Sequence, residues 1–323
     1  MNPPLKIGTR ESQLAIWQAK QVQILLEERG INSELIFIKS EGDTDTVTPL
    51  YELGVQGIFT RALDSALLNN KIDIAVHSMK DVPIQPAAGI RQAAVLKRAS
   101  YKDILVFKSD SKFIEGELHS PFTIHNSPFA SHLSPLTIAT SSMRRKAQWL
   151  HRYPNHTIES LRGNVNTRLR KLNEHNWNGV IFAAAGLERI GLRPENSIDL
   201  DWMLPAPAQG AITISCRTAD DYSFNSCQLF NDEPTDRCTK EERNFLRALL
   251  GGCSTPISAL AIIENDQMVF KGNICSTDGK QKFEIEKTVS LKNSADIGLQ
   301  AARELMENEE VKQILFNIRN VNK

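Results

Sequence analysis

No stretch of this sequence reaches the roughly 18 consecutive apolar residues that a membrane-spanning helix needs. Met1 to Lys6 shows no charged segment leading into an apolar one, so neither a membrane anchor nor a signal peptide is expected. Cysteine is scarce: Cys216, Cys227, Cys238, Cys253 and Cys275 are widely spaced, odd in number and without a C-x-x-C pair. That argues against a disulfide framework or a zinc site and predicts a reduced, cytoplasmic protein. Charge of either sign is not in excess, since 38 Lys+Arg balance 38 Asp+Glu. A protein that coats nucleic acid by bulk charge is therefore not expected. There is no G-x-x-x-x-G-K-[ST], no G-x-G-x-x-G after a strand, no G-x-S-x-G and no H-E-x-x-H, which removes the P-loop, dinucleotide, hydrolase-elbow and zincin readings. The histidines other than His77 show no metal-ligand spacing and are expected at the surface, with no metal bound.

What is present is ordinary globular material: 323 residues, 41% hydrophobic and 24% charged, enough for two or three domains. Leu5–Gly8 reads as a strand, followed by a helix that Ser12 can cap and that carries Ala15, Ala19, Val22 and Leu26 at helical spacing. Gly30 ends it, and Glu34–Ile38 is a second strand. A loop over 42–57, a helix near 59–69 and the buried strand Ile72–Val76 complete a repeating strand–helix–strand pattern, which predicts parallel crossovers. The pattern restarts at Asp103–Phe107. A Ser/Pro/His-rich surface excursion over 109–135 follows, then strand Thr137–Ala139, helices 142–151 and 165–174, and strand Gly179–Ala183. Ala211–Cys216 is one further strand. From Thr239 a helix, three strands near 259–263, 268–274 and 283–291, and a closing helix over 295–308 describe a smaller α+β domain.

Ligands of open α/β sheets bind beyond the carboxyl ends of the strands, and the polar residues here gather at those ends. Ile7-Gly8-Thr9-Arg10-Glu11-Ser12 and Ala139-Thr140-Ser141-Ser142-Met143-Arg144-Arg145 both run from strand through hydroxyl residues into a helix, a setting that suits an anion. Ordinary N-capping explains either one alone; paired in two lobes they favour an anion held between them. Arg162, Gly163 and Arg168 repeat the theme, Arg162 converging with Arg168 if it sits in the turn, and Arg189 follows in Gly186-Leu187-Glu188-Arg189. Several guanidinium forks in one cleft imply a ligand with several carboxylates, although solvated ion pairs would explain each Arg singly. His77-Ser78-Met79-Lys80-Asp81 emerges from a hydrophobic strand, where charges need partners or a task. Asp81 suits acid–base work or stabilising a developing cation, and Lys80 suits a carboxylate. Gly251-Gly252-Cys253 presents one thiol in a Gly-flanked loop, as compatible with a structural as with a reactive cysteine.

These segments, together with Asp73–Pro83, Ser160–Val165, Ala185–Arg189 and Pro205–Gly210 in the same order, resemble the porphobilinogen deaminase (hydroxymethylbilane synthase) family over essentially the full length. The resemblance implies an α/β fold with two periplasmic-binding-protein-like lobes plus a smaller C-terminal α+β domain. Expected boundaries are 1–100 with 211–230, 101–210 and 238–323, the strand near 211–216 returning to the first lobe. It also implies four porphobilinogens joined head to tail with loss of ammonia, then hydrolytic release of hydroxymethylbilane, on a dipyrromethane cofactor attached by a thioether at Cys253. Asp81 matches the catalytic aspartate. Ser78, Lys80, Thr140, Ser142, Arg144, Arg145, Arg162 and Gly163, with Asp81, are expected at the cofactor; Arg10, Ser12, Phe59, Arg162, Arg168, Arg189 and Gln209 are expected at the substrate. The family expectation is a monomer with no nucleic-acid or membrane partner. Departures are Glu52 and Gln56 where many bacterial members carry lysine, a long 111–135 segment, and Pro207 near the lobe crossing. The competing reading is a two-lobed binding protein that captures a small anion without chemistry; it leaves Asp81 beside Lys80, and the Gly-Gly-Cys loop, unexplained.

Overall fold

The structure is a computed structural model that describes residues 3–39, 60–108, 135–249 and 255–321. The expected 42–57 loop, Phe59, nearly all of the 109–135 segment and Cys253 lie outside the described residues.

Strand β1 (Leu5–Thr9) buries Leu5 and Ile7 and passes into α1 (Gln13–Glu27), where the Ser12 hydroxyl accepts the Ala15 amide as N-cap. Ala15, Ala19, Val22 and Leu26 form the buried stripe of that helix, and Gly30 beyond its end takes a left-handed φ of 72°. With β2 (Ser33–Phe37), α2 (Arg61–Leu68), β3 (Ile74–Ser78), β4 (Ile90–Val95) and β10 (Ile212–Arg217), these elements build a five-stranded sheet in the order β2-β1-β3-β10-β4.

The second sheet takes β5 (Asp103–Phe107), β6 (Thr137–Ala139), β7 (Thr157–Glu159), β8 (Gly179–Ala183) and β9 (Ser197–Asp199) in the order β7-β6-β8-β5-β9. Helices α3 (Met143–Arg152), α4 (Val165–Glu174) and α5 (Ala184–Glu188) belong to this lobe. The two orders correspond strand for strand. In each sheet three strands run parallel, while the fourth, β10 or β5, is antiparallel to both of its neighbours. The parallel crossovers expected from the strand–helix–strand pattern are present in β2-β1-β3 and β7-β6-β8, and the antiparallel fourth strand is added to them. β10 and β5 are the strands entered directly after the chain has crossed between lobes, with no helix to return them to the same end of the sheet.

The crossings are two adjacent segments, near 96–102 and 204–211. Leu96 N donates to Ile212 O (3.0 Å), Ala99 N to Gly210 O (3.1 Å) and Gln209 Nε2 to Tyr101 O (2.8 Å). Gly210 has φ 87°, and a Cβ there would lie 2.6 Å from Ser100 O, so the crossings can approach this closely because position 210 has no side chain.

After α6 (Asp221–Gln228), α7 (Glu233–Ala248) leads into an antiparallel sheet of β11 (Ile257–Glu264), β12 (Gln267–Cys275) and β13 (Lys282–Ser290), closed by α8 (Ile297–Leu305) and α9 (Glu309–Val321). Phe245, Ile257, Met268, Phe270, Ala301 and Val311 share its core. α7 starts before Thr239 because Asp232 caps it, accepting the Thr235 amide, with a proline in its first turn.

One surface expectation is corrected. His156 is buried, its Nδ1 accepting from Trp149 Nε1 (3.1 Å) and its ring stacked on Tyr153, and burial lowers its pKa to about 4. Among the described residues no helix is long and apolar enough to cross a membrane.

Candidate active site

The carboxyl ends of β1, β3, β6 and β7 carry the expected residues. Arg10 follows β1 and is half-buried. It faces His77, whose pKa is lowered to about 4 by burial first and then by the Arg10 charge, so His77 is neutral near pH 7. Beyond β3 the chain makes a single 3-10 turn, Met79–Asp81, with Met79 buried and Lys80 and Asp81 half-buried. Ser78 Oγ accepts from Gln18 Nε2 (2.9 Å). In the other lobe Thr140 Oγ1 accepts the Ser142 amide, and Ser142 Oγ caps α3 by accepting the Arg145 amide. The hydroxyls of Ser12 and Ser142 therefore serve as caps.

The floor of the site is a residue that the sequence reading treated as a strand start. Asp103, fully buried at the head of β5, accepts Arg145 Nε (3.1 Å) and Nη2 (2.8 Å) on Oδ1, with Gln209 Nε2 at 2.9 Å, and pairs with Arg144 Nη2 through Oδ2 (2.7 Å). Arg144 Nη1 donates to Leu204 O and Arg145 Nη1 to Ile181 O, so both forks are turned onto Asp103 and main-chain carbonyls instead of standing open. Burial would raise the Asp103 pKa; Arg144, Arg145, Lys80 and Gln209 outweigh it and hold the carboxyl at about 2. Arg144 is itself shifted down because burial and the Arg145 charge exceed what one shared carboxylate returns. A strand reading Asp-Ile-Leu-Val-Phe was the available signal, since a buried carboxylate needs a cation.

Lys80 extends this network across the hinge, its Nζ donating to Gln209 Oε1 (3.3 Å). Its pKa is lowered to about 8 by burial and then by Arg145, with Asp81 and Asp103 opposing. Gly163, at φ 112°, turns the chain so that Arg162 precedes the Asn164 cap of α4 and Arg168 Nε donates to Gly163 O (2.7 Å). Burial lowers the Arg168 pKa to about 10, Arg145 and Arg162 adding repulsion and Asp81 attraction. Among the described residues Lys80, Arg144, Arg145, Arg162 and Arg168 share one field with Asp81 and Asp103, and Arg144 Nε is buried with no hydrogen-bond acceptor there. Such a donor set suits a ligand with several carboxylates.

Arg189 lies apart from this cluster: Nη2 donates to Gly210 O (2.6 Å) and the guanidinium sits 5.7 Å from the Trp17 ring centroid, tying hinge to α1. Beneath the hinge, Arg98 pairs with the buried Glu242 of α7 (2.5 and 3.1 Å), which also accepts the amides of Ala208 and Ala261. Arg98, Asp103, Glu242 and Arg243 are the residues that motif reading missed.

Two hinged α/β lobes with opposed polar strand ends and an attached third domain form a cleft bordered by cationic side chains. Residues 5–225 match the family model "Porphobilinogen deaminase, dipyromethane cofactor binding domain", and residues 237–307 match "Porphobilinogen deaminase, C-terminal domain". A porphobilinogen deaminase of Pelobacter propionicus is 38% identical over 286 residues, 86% of each chain. One of Acidithiobacillus ferrooxidans is 35% identical over 320 residues, 98% of each. Among solved structures, the methionine-binding protein MetQ aligns with TM-score 0.43 at 12% identity, covering 74% of this chain and 94% of that one. The periplasmic VFT2 domain of Bordetella pertussis BvgS aligns with TM-score 0.40 at 13% identity, over 75% and 90%. The chain belongs to the porphobilinogen deaminase family, transferases whose matched domain binds a dipyrromethane cofactor.

Proposed function

We propose that the chain condenses four porphobilinogens head to tail, releasing ammonia at each addition and finally hydroxymethylbilane, with a dipyrromethane held as a thioether at Cys253. The observation that carries this reading is the gathering of Lys80, Arg144, Arg145 and Arg168 around Asp81 and Asp103 at the meeting of the two lobes. Porphobilinogen bears an acetate and a propionate, so a growing chain accumulates carboxylates. Lys80, Arg162 and Arg168 pair with them, and Arg10, with the amide ends of the helices capped by Ser12 and Ser142, extends the binding surface. Thr140, Ser78 and Gly163 shape the cofactor's surroundings. Arg144 and Arg145, locked on Asp103, keep the field positive, while Gln209 ties Lys80 to that base. Arg189 joins the hinge to α1. When bound, the dipyrromethane supplies the nucleophilic pyrrole carbon to which substrate units are joined. Asp81 accepts the pyrrole N–H of the incoming unit, stabilises the cation left as ammonia departs, and takes up and returns the proton.

The protein acts as a cytoplasmic monomer, with no nucleic-acid or membrane partner, in this reading. Neutral net charge supports the absence of a nucleic-acid partner, and the free, buried Cys216, Cys227, Cys238 and Cys275, whose thiols burial pushes upward, support a reducing compartment.

Intact mass under denaturing conditions tests the assignment. Protein incubated with porphobilinogen should carry an adduct of two deaminated units that Cys253→Ser lacks, and Asp81→Asn should hold carboxylate ligands while nearly abolishing turnover. A chain that never gains the adduct is an anion-binding protein.

A further inference from the structure

We infer that Arg243 is a positioning residue for the reaction: from α7 it fixes the turn that presents Asp81 to the cleft. The inference rests on the role proposed above for Asp81. Arg243 Nη1 donates to Val82 O (3.0 Å) and Met79 O (3.4 Å), and Nη2 to Pro83 O (2.6 Å). These carbonyls bracket Asp81 along the chain. A single 3-10 turn satisfies few of its own carbonyls. Here Val82 N closes it onto Met79 O (3.2 Å), and Met79 N donates to Ala211 O (3.0 Å) at the hinge. The planar guanidinium, with donors fixed in one fork, can hold three carbonyls at once. Ile84, just beyond them, packs against the core of the third domain. The segment from Met79 to Ile84 is therefore fastened on one side to the hinge and on the other to α7. Asp81 is placed relative to the third domain as well as to β3, and Arg243 acts on it through the main chain.

Steady-state kinetics of the holoenzyme should show kcat of Arg243→Gln lowered about 10- to 100-fold, the scale on which an ångström of misplacement acts. KM should stay within about threefold, because the carboxylate-binding cations are untouched. Arg243→Lys should recover part of the loss. Hydrogen exchange of the cofactor-free protein adds a readout independent of turnover: residues 79–84 should exchange at least about 10-fold faster in Arg243→Gln, with β1 unchanged. Undiminished kcat overturns the inference, as does a kcat loss with unaltered exchange at 79–84. If Arg243→Gln does not fold, Arg243→Lys carries the same two measurements. Asp81→Asn is assayed alongside. Normal turnover there removes the reading of Asp81, whereas an inactive Asp81→Asn beside a fully active Arg243→Gln refutes the positioning role alone.

Discussion

Replacing Asp103 by asparagine keeps shape and an acceptor oxygen but deletes the charge that Arg144, Arg145 and Lys80 share. Removing one partner of a buried pair costs about 3–5 kcal/mol. The retained acceptor puts this change near the lower end, at about 3 kcal/mol. A second number comes from linkage. The carboxyl titrates at about 2 in the folded chain against an ordinary 3.8, a difference equivalent to about 2.5 kcal/mol. Because the folded value is depressed, that stabilisation is complete above pH 4 and disappears as pH falls through 2. Trp149, Trp177 and Trp202 lie in the second lobe and Trp17 in the first, so in a Trp17→Phe background tryptophan fluorescence reports urea unfolding of the second lobe. The expected result is a gap of about 3 kcal/mol between wild type and Asp103→Asn at pH 7 that narrows between pH 4 and pH 2. A gap under about 1 kcal/mol at pH 7, or one independent of pH, would refute the reasoning.

Other consequences follow from the same geometry. Lys80, with its pKa lowered to about 8, is cationic at pH 7 and loses its proton above pH 8; affinity for a tricarboxylate probe should fall as pH rises through 8, and Lys80→Arg should abolish that limb in calorimetric titrations. His77, lowered to about 4 from 6.5, binds more protons unfolded than folded. Stability should therefore fall by up to about 3 kcal/mol as pH drops from 6.5 through 4, and His77→Gln should flatten that part of the curve in chemical denaturation. Gly210→Ala forces a Cβ to 2.6 Å from Ser100 O at φ 87°, and should cost at least about 2 kcal/mol by calorimetric melting. Gly30→Ala, at φ 72° with open space around it, should cost about 1 kcal/mol.

Local patterns made much of the first lobe legible. The stripe Ala15, Ala19, Val22 and Leu26, with Ser12 before it, specified α1 within a residue or two because propensity, cap and period agree. Residue patterns alone left strand order open, because β10 reads the same whichever sheet it joins; the family resemblance returned it to the first lobe, where it lies beside Val76 and Ala94. β7 and β9 span three residues each, too short for a period, and their existence depends on β6 and β5 beside them. At the site, Lys80, Asp81, Arg162 and Arg168 were visible as charges at strand ends. Asp103 and Arg243 were not: one hides as a strand's first residue and the other is an ordinary helix arginine until three distant carbonyls are placed against it.

The exchanged fourth strands also set an order of assembly. During synthesis β3 and β4 emerge without the strand that belongs between them, and β10 follows only after every strand of the second sheet. At ordinary elongation rates that interval is on the order of ten seconds. The lobe translated second is therefore the first that can close its sheet, and the lobe carrying Asp81 is completed by a strand translated after the second lobe. β10 pairs with β3 on one edge and β4 on the other, so the first sheet is continuous only once that strand is in place.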